Sequence, residues 1–136
     1  MKLVVDANVL FSFFRKYSST RKFILSHPEL ELFVPEYVFD ELEEHKEEIK
    51  RKSKIDENVF KLTKKELLRY TTVVPLDEFK EFWDKAKKIS PDLDDAQYFA
   101  VAFALSCVLW SNDKALKRQS CVKVWNTKEF IELMGL

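Results

Sequence analysis

Apolar positions run along this chain in two alternating styles. Five short segments, Leu3–Asp6, Leu32–Pro35, Thr71–Pro75, Val108–Ser111 and Val122–Trp125, are rich in β-branched or aromatic residues, the composition of strands. Between them apolar residues recur at helical spacing. Strands alternating with helices predict an α/β domain whose parallel sheet is covered on both faces. Leu3, Val4 and Val5 are apolar without alternation, as in a central strand buried on both sides.

The intervening segments predict a helical hairpin after the second strand. Val38, Leu42, His45 and Ile49 share one helical stripe, and Asp56 is placed to cap a second helix carrying Val59, Phe60, Leu62, Leu67 and Leu68. On this pattern His45 reads as a packed core histidine. Phe79, Phe82, Trp83 and Ala86 predict a further helix, and a last one lies near Lys128–Met134. Ala96 to Leu105 is apolar nearly all round, which predicts a buried helix. No repeat, low-complexity tract or linker interrupts the pattern, so residues 1–136 read as a single domain.

Composition removes several function classes. Lys and Arg number 23, as do Asp and Glu, so any attraction for a polyanion must come from local patches. The only glycine is Gly135, which excludes Gly-rich phosphate loops. Two cysteines, Cys107 and Cys121, and two histidines, His27 and His45, are too few for a Cys/His metal cage. Both cysteines have apolar sequence neighbours and read as core thiols in a reducing compartment. The opening apolar run is too short for a signal peptide, and Tyr98–Trp110 falls short of the roughly 20 residues that span a bilayer. The expectation is a soluble, cytoplasmic protein with no membrane partner.

Ligands of open α/β sheets bind beyond the carboxyl ends of the strands, where strand order reverses. Asp6 ends the first strand and Asp113 follows the fourth. Asp95 opens the helix that runs antiparallel into the fourth strand, so it starts at the same edge. Glu41 lies about 60° around its helix from Val38, beside the inward stripe. Taken singly, Asp95 and Asp113 read more simply as helix-end acids and Glu41 as part of a solvated face. Asp6 is harder to dismiss, because it has no evident cap to make and a buried carboxylate needs a partner. Four acids gathered at one edge are costly unless a cation sits among them. Without a His or Cys set, the fitting ion is Mg²⁺ or Mn²⁺, and the chemistry is metal-dependent phosphodiester hydrolysis.

The same residues carry a family signature. Val4-Val5-Asp6-Ala7-Asn8-Val9-Leu10 resembles the opening of PIN-domain ribonucleases, and Val34-Pro35-Glu36-Tyr37-Val38-Phe39-Asp40-Glu41-Leu42 resembles their second motif. Asp94-Asp95-Ala96-Gln97-Tyr98-Phe99-Ala100-Val101-Ala102 and Leu109-Trp110-Ser111-Asn112-Asp113-Lys114-Ala115-Leu116 resemble the third and fourth. The resemblance implies a three-layer α/β/α fold with a five-stranded parallel sheet of order 3-2-1-4-5. It also implies a single-strand-preferring endoribonuclease in which Asp6, Glu41, Asp95 and Asp113 hold Mg²⁺ or Mn²⁺. Asn8 and Ser111 would orient ligands or waters, and Asp92 or Asp94 would be an additional or alternative ligand. Many single-domain relatives of this size are VapC-type toxins, often homodimers with an antitoxin partner. One departure is the turn before the fourth strand, where Ser106-Cys107 stands in place of the usual Gly.

Basic residues alternate with Glu along the predicted helical hairpin. Most lysines of the hairpin fit i,i+4 pairs on exposed helices, whereas Arg15, Lys16, Arg21 and Lys22 are the better candidates for RNA contact. Two other classes remain: a PIN-like module that binds RNA or protein without cutting, and a phosphatase using Asp6 as nucleophile. The latter pattern wants a second Asp where Asn8 stands.

Overall fold

The computed structural model describes residues 1–134; Gly135 and Leu136 lie outside the described residues. Strand β1 (Lys2–Val5) leads to α1 (Ala7–Phe13), α2 (Ser19–Ser26) and β2 (Glu31–Pro35). Three helices follow, α3 (Val38–Glu44), α4 (Lys46–Ser53) and α5 (Glu57–Arg69), and then β3 (Thr71–Val74). Next come α6 (Leu76–Phe79), α7 (Trp83–Ile89), α8 (Ala96–Leu105) and β4 (Val108–Trp110). A 3₁₀ segment, Lys114–Arg118, then β5 (Val124–Trp125) and α9 (Thr127–Met134) complete the order.

The five strands form one parallel sheet of order β3-β2-β1-β4-β5, the expected α/β arrangement. The alternation of side chains along β1 sorts two cores. Leu3 and Val5 join α1 to α5 and α9 on one face, while Val4 joins α6, α7 and α8 on the other. All three are fully buried, which is why the strand shows no polar face. α8 is buried from Ala96 through Ala102, as its uniform apolarity requires. Among the described residues, no helix is long and apolar enough to cross a membrane.

Three local expectations are corrected. The hairpin's first arm is two helices, α3 and α4, meeting at His45. Glu43/Glu47 and Glu44/Glu48 place like charges at i,i+4 across that point, which disfavours one continuous helix. The break takes His45 off the core stripe: its side chain is 40% exposed and its ring lies 5.3 Å from that of Phe11. Asp56 does cap α5 by accepting from the Val59 N–H at 2.8 Å. The buried side of α5 is Phe60, Thr63 and Leu67, however, and Val59 and Leu62 are exposed. Cys121 is exposed and Cys107 only partly buried. The amide of Gln119 bonds the Leu116 carbonyl and both backbone groups of Val122, so this bend is held by Gln119 rather than by core packing of Cys121.

Ser106 ends α8 in the left-handed conformation, φ 51°, at the turn where the family pattern wants glycine. A Cβ there is disfavoured by roughly 1–2 kcal/mol. Ser106→Gly should therefore stabilise the chain by about 0.5–1 kcal/mol after the greater chain entropy of glycine is subtracted. A rise in the urea midpoint at unchanged m-value checks this.

Candidate active site

β1 and β4 are the adjacent strands at which the sheet order reverses, and their carboxyl ends carry Asp6 and Ser111. The backbone N–H of Asp6 donates to the Trp110 carbonyl at 2.9 Å, which ties the two ends together. Asp6 is only 2% exposed. It also caps α1, contrary to the sequence reading, since its Oδ1 accepts from the Ala7 N–H at 2.8 Å. Its Oδ2 accepts from the Ser111 hydroxyl at 2.7 Å, and Ser111 Oγ accepts from the Asp113 N–H at 3.0 Å. Burial raises the Asp6 carboxyl above its ordinary value, although both donors pull the other way.

Glu41 faces the first turn of α8. Tyr98 donates its phenol proton to Glu41 Oε1 at 2.7 Å, and Gln97 Nε2 donates to the same oxygen at 2.5 Å. Burial again pushes the carboxyl up. The phenol of Tyr98 is raised as well, by its own burial and by the Glu41 charge. Gln97 Oε1 is a buried acceptor without a partner among the described residues. Neither Gln97 nor Tyr98 was singled out from the sequence, because both sit inside an apolar run whose helical face could not be oriented there.

Asp113 caps the 3₁₀ segment, its Oδ1 accepting from the Ala115 N–H at 2.9 Å, so the simpler structural role is also fulfilled. Asp92 accepts from the Asp94 N–H at 3.0 Å. Asp95 differs from all of these. It stands at the start of α8 and makes no capping hydrogen bond. Burial, and then the charges of Asp6, Asp92, Asp113 and Glu41, push it from 3.8 to about 7.

One hollow at this sheet edge is lined by Asp6, Glu41, Asp95 and Asp113, together with Asp92 and Asp94. Exposed Asn8 stands on its wall, and its side chain bonds none of the acids among the described residues. His45, Glu48, Arg15 and Lys52 also stand on its rim. Of the basic candidates, Arg21 is engaged elsewhere: it pairs with Glu66 at 3.1 Å and stacks over Phe13 at 4.9 Å. Lys22 is exposed and outside the hollow.

The donors present suit a hard cation, being carboxylates and a neutral amide with no thiolate. No group of three or more His, Cys, Asp or Glu side chains among the described residues is drawn in tightly enough to hold an ion outright. That spacing is compatible with Mg²⁺, which keeps several waters and takes one or two carboxylates directly.

Comparison with known proteins bears on the fold and the family. No curated protein matches the sequence. A chain of VapBC2 from Rickettsia felis, crystallised bound to a DNA fragment from their promoter, has a similar fold (TM-score 0.72, 14% identity) over 93% of this chain and 98% of its own. PAE2754 from Pyrobaculum aerophilum is also similar (TM-score 0.68, 21% identity), with 98% of this chain and 88% of that one covered. At these identities the likeness shows the fold alone. Residues 4–133, nearly the whole chain, match the PIN domain profile, and the chain therefore belongs to the PIN domain family.

Proposed function

We propose that this chain is an endoribonuclease that hydrolyses RNA phosphodiester bonds with the help of Mg²⁺ or Mn²⁺. The observation that carries the reading is one hollow that gathers Asp6, Glu41, Asp95 and Asp113 from distant parts of the chain. Asp95 makes no capping bond there, and the crowding raises it to about 7. These four would hold the ion, one or two of them directly and the others through its waters, with Asp92 or Asp94 as an additional or alternative ligand and Asn8 orienting ligands or waters. A bound divalent ion supplies a more acidic water and neutralises charge on the entering and leaving oxygens of the phosphate.

The chain's own residues set the stage for that chemistry. Ser111 and the Ala7 N–H fix the two oxygens of Asp6. Tyr98 and Gln97 fix Glu41 by one oxygen, leaving Oε2 for another partner. Arg15 and Lys52 on the rim can meet the phosphate's charge. In the setting that the family resemblance implies, the chain is the toxin half of a type II pair with an antitoxin partner and works as a cytoplasmic homodimer; the fold likeness to a VapBC2 chain supports the paired setting. A non-cutting binding module is the competing reading, and it predicts no heat on titration with Mn²⁺.

Asp6→Asn and Asp95→Asn should each abolish RNA cleavage while the circular dichroism spectrum stays unchanged. Excess EDTA should silence the wild type, and added Mn²⁺ should restore it. Equal cleavage by wild type and either variant would overturn the assignment. Ser111→Ala, which frees one oxygen of Asp6, should cost roughly 10- to 100-fold in metal affinity or activity.

The raised acids also set the pH dependence of the metal-free chain. Folded Asp95 keeps its proton up to about pH 7, whereas the unfolded residue releases it near 3.8. The folded state therefore binds more protons across that window, and stability falls as pH rises through it, levelling off above. Asp6 and Glu41 shift in the same direction and add to the slope. Thermal melts in EDTA should show this decline, and Asp95→Asn should melt higher than wild type at about pH 8. A metal-free wild type that gains stability across the window would contradict the charge crowding inferred here.

A further inference from the structure

A second hollow adjoins the acidic one and has the opposite charge. The two share Ser12, Arg15, Lys52 and Ser53 on their walls, so they form one continuous groove. The second is lined by four cations, Arg15, Lys16, Lys52 and Lys54, and by no acid. Most lysines on neighbouring helices are already paired: Lys46 and Lys50 with Glu57, and Lys64 with Glu43. Arg15, Lys16 and Lys54 have no ion pair among the described residues. Lys52 pairs with Glu48 at 2.7 Å, with both side chains at least half exposed, a contact that water weakens.

Tyr17 lies in the same hollow and is 81% exposed, the most exposed large hydrophobic side chain among the described residues. The Lys16 ammonium sits 5.5 Å from its ring centre. An aromatic ring left in water within a cationic groove is the combination that holds single-stranded nucleic acid: charges track the backbone and the ring stacks an unpaired base. A duplex offers no free base face to such a ring.

We infer that the groove beside the acids is the track for single-stranded RNA, with Tyr17 stacking one unpaired base and Arg15, Lys16, Lys52 and Lys54 holding flanking phosphates. The inference rests on the nuclease reading for its orientation, since the track leads into the acidic hollow. It assigns the strand preference to this chain's own residues, with Lys52 and Lys54 taking the place of Arg21 and Lys22.

The test is fluorescence anisotropy in EDTA, which keeps the RNA intact, with a short labelled single strand of mixed sequence and with its duplex. Tyr17→Ala should weaken single-strand binding about 5- to 100-fold, Tyr17→Phe should keep it, and duplex binding should be the same for all three. Lys16→Ala and Lys54→Ala should each reduce the salt slope by about one unit on either RNA. Unchanged single-strand affinity in Tyr17→Ala would overturn the inference. So would an equal loss on both RNAs, or a dimer-to-monomer change at constant RNA affinity, which would make the patch an interface between copies. Cleavage separates the two readings. If the nuclease reading fails, Mn²⁺ produces no cutting while Tyr17-dependent binding stands. If the track fails, cutting persists in Tyr17→Ala at the wild-type rate.

Discussion

A carboxylate buried at the end of a central strand must be given hydrogen-bond donors, and this requirement organises the whole sheet edge. Asp6 has almost no contact with water, so its charge is disfavoured. Its two oxygens are met by the N–H of the helix it starts and by a hydroxyl from the neighbouring strand. That hydroxyl is itself held by the backbone of Asp113. One buried acid thus fixes the entry to α1, the ends of β1 and β4, and the turn that carries another acid. Removing the Asp6–Ser111 contact would loosen the point at which the strand order reverses.

The same arrangement leaves the acids without a counter-charge of their own. Asp6, Glu41 and Asp113 are held by neutral donors: backbone N–H groups, a hydroxyl, a phenol and an amide. Among the described residues none of the three has a Lys or Arg partner within ion-pair distance. Had the fold paired them with internal cations, the cluster would be a structural salt-bridge network with little appetite for an external ion. Neutral donors orient the carboxylates but leave their repulsion in place, and Asp95 registers the sum of it. A proton relieves that repulsion at low pH, and a divalent cation could do so above it.

Much of the architecture was legible because it depends on local pattern. The unbroken apolar run Leu3–Val5 marked the central strand, and the uniform apolarity of Ala96–Leu105 marked the buried helix. Placing four acids at one edge needed only the rule for open sheets, supported by the family motifs. What escaped the sequence depends on partners far along the chain. Arg21 looked available until Glu66, 45 residues on, claimed it. Tyr98 looked like one more apolar residue until Glu41, 57 residues away, received its proton. His45 obeyed the helical stripe on paper, but the stripe broke at that residue. Short helices such as α1 and α2 lacked enough turns for periodicity to mark their ends.

A zero net charge hides how unevenly the charge is distributed. Glu57 is shared by Lys46 and Lys50, and Glu43 by Lys46 and Lys64, so these hairpin cations are neutralised on the spot. Arg15, Lys16 and Lys54 are left beside a hollow in which Asp6, Glu41, Asp95 and Asp113 likewise have no Lys or Arg partner among the described residues. Opposite charges that adjoin without cancelling produce a steep field along the groove. A polyanion approaching an acidic pocket alone would be repelled. With a cationic stretch leading up to that pocket, attraction to the flanking phosphates can offset the repulsion at the one phosphate placed among the acids. The separation of charge, and not its total, is what would let an electrically neutral chain suit the polyanionic substrate proposed for it.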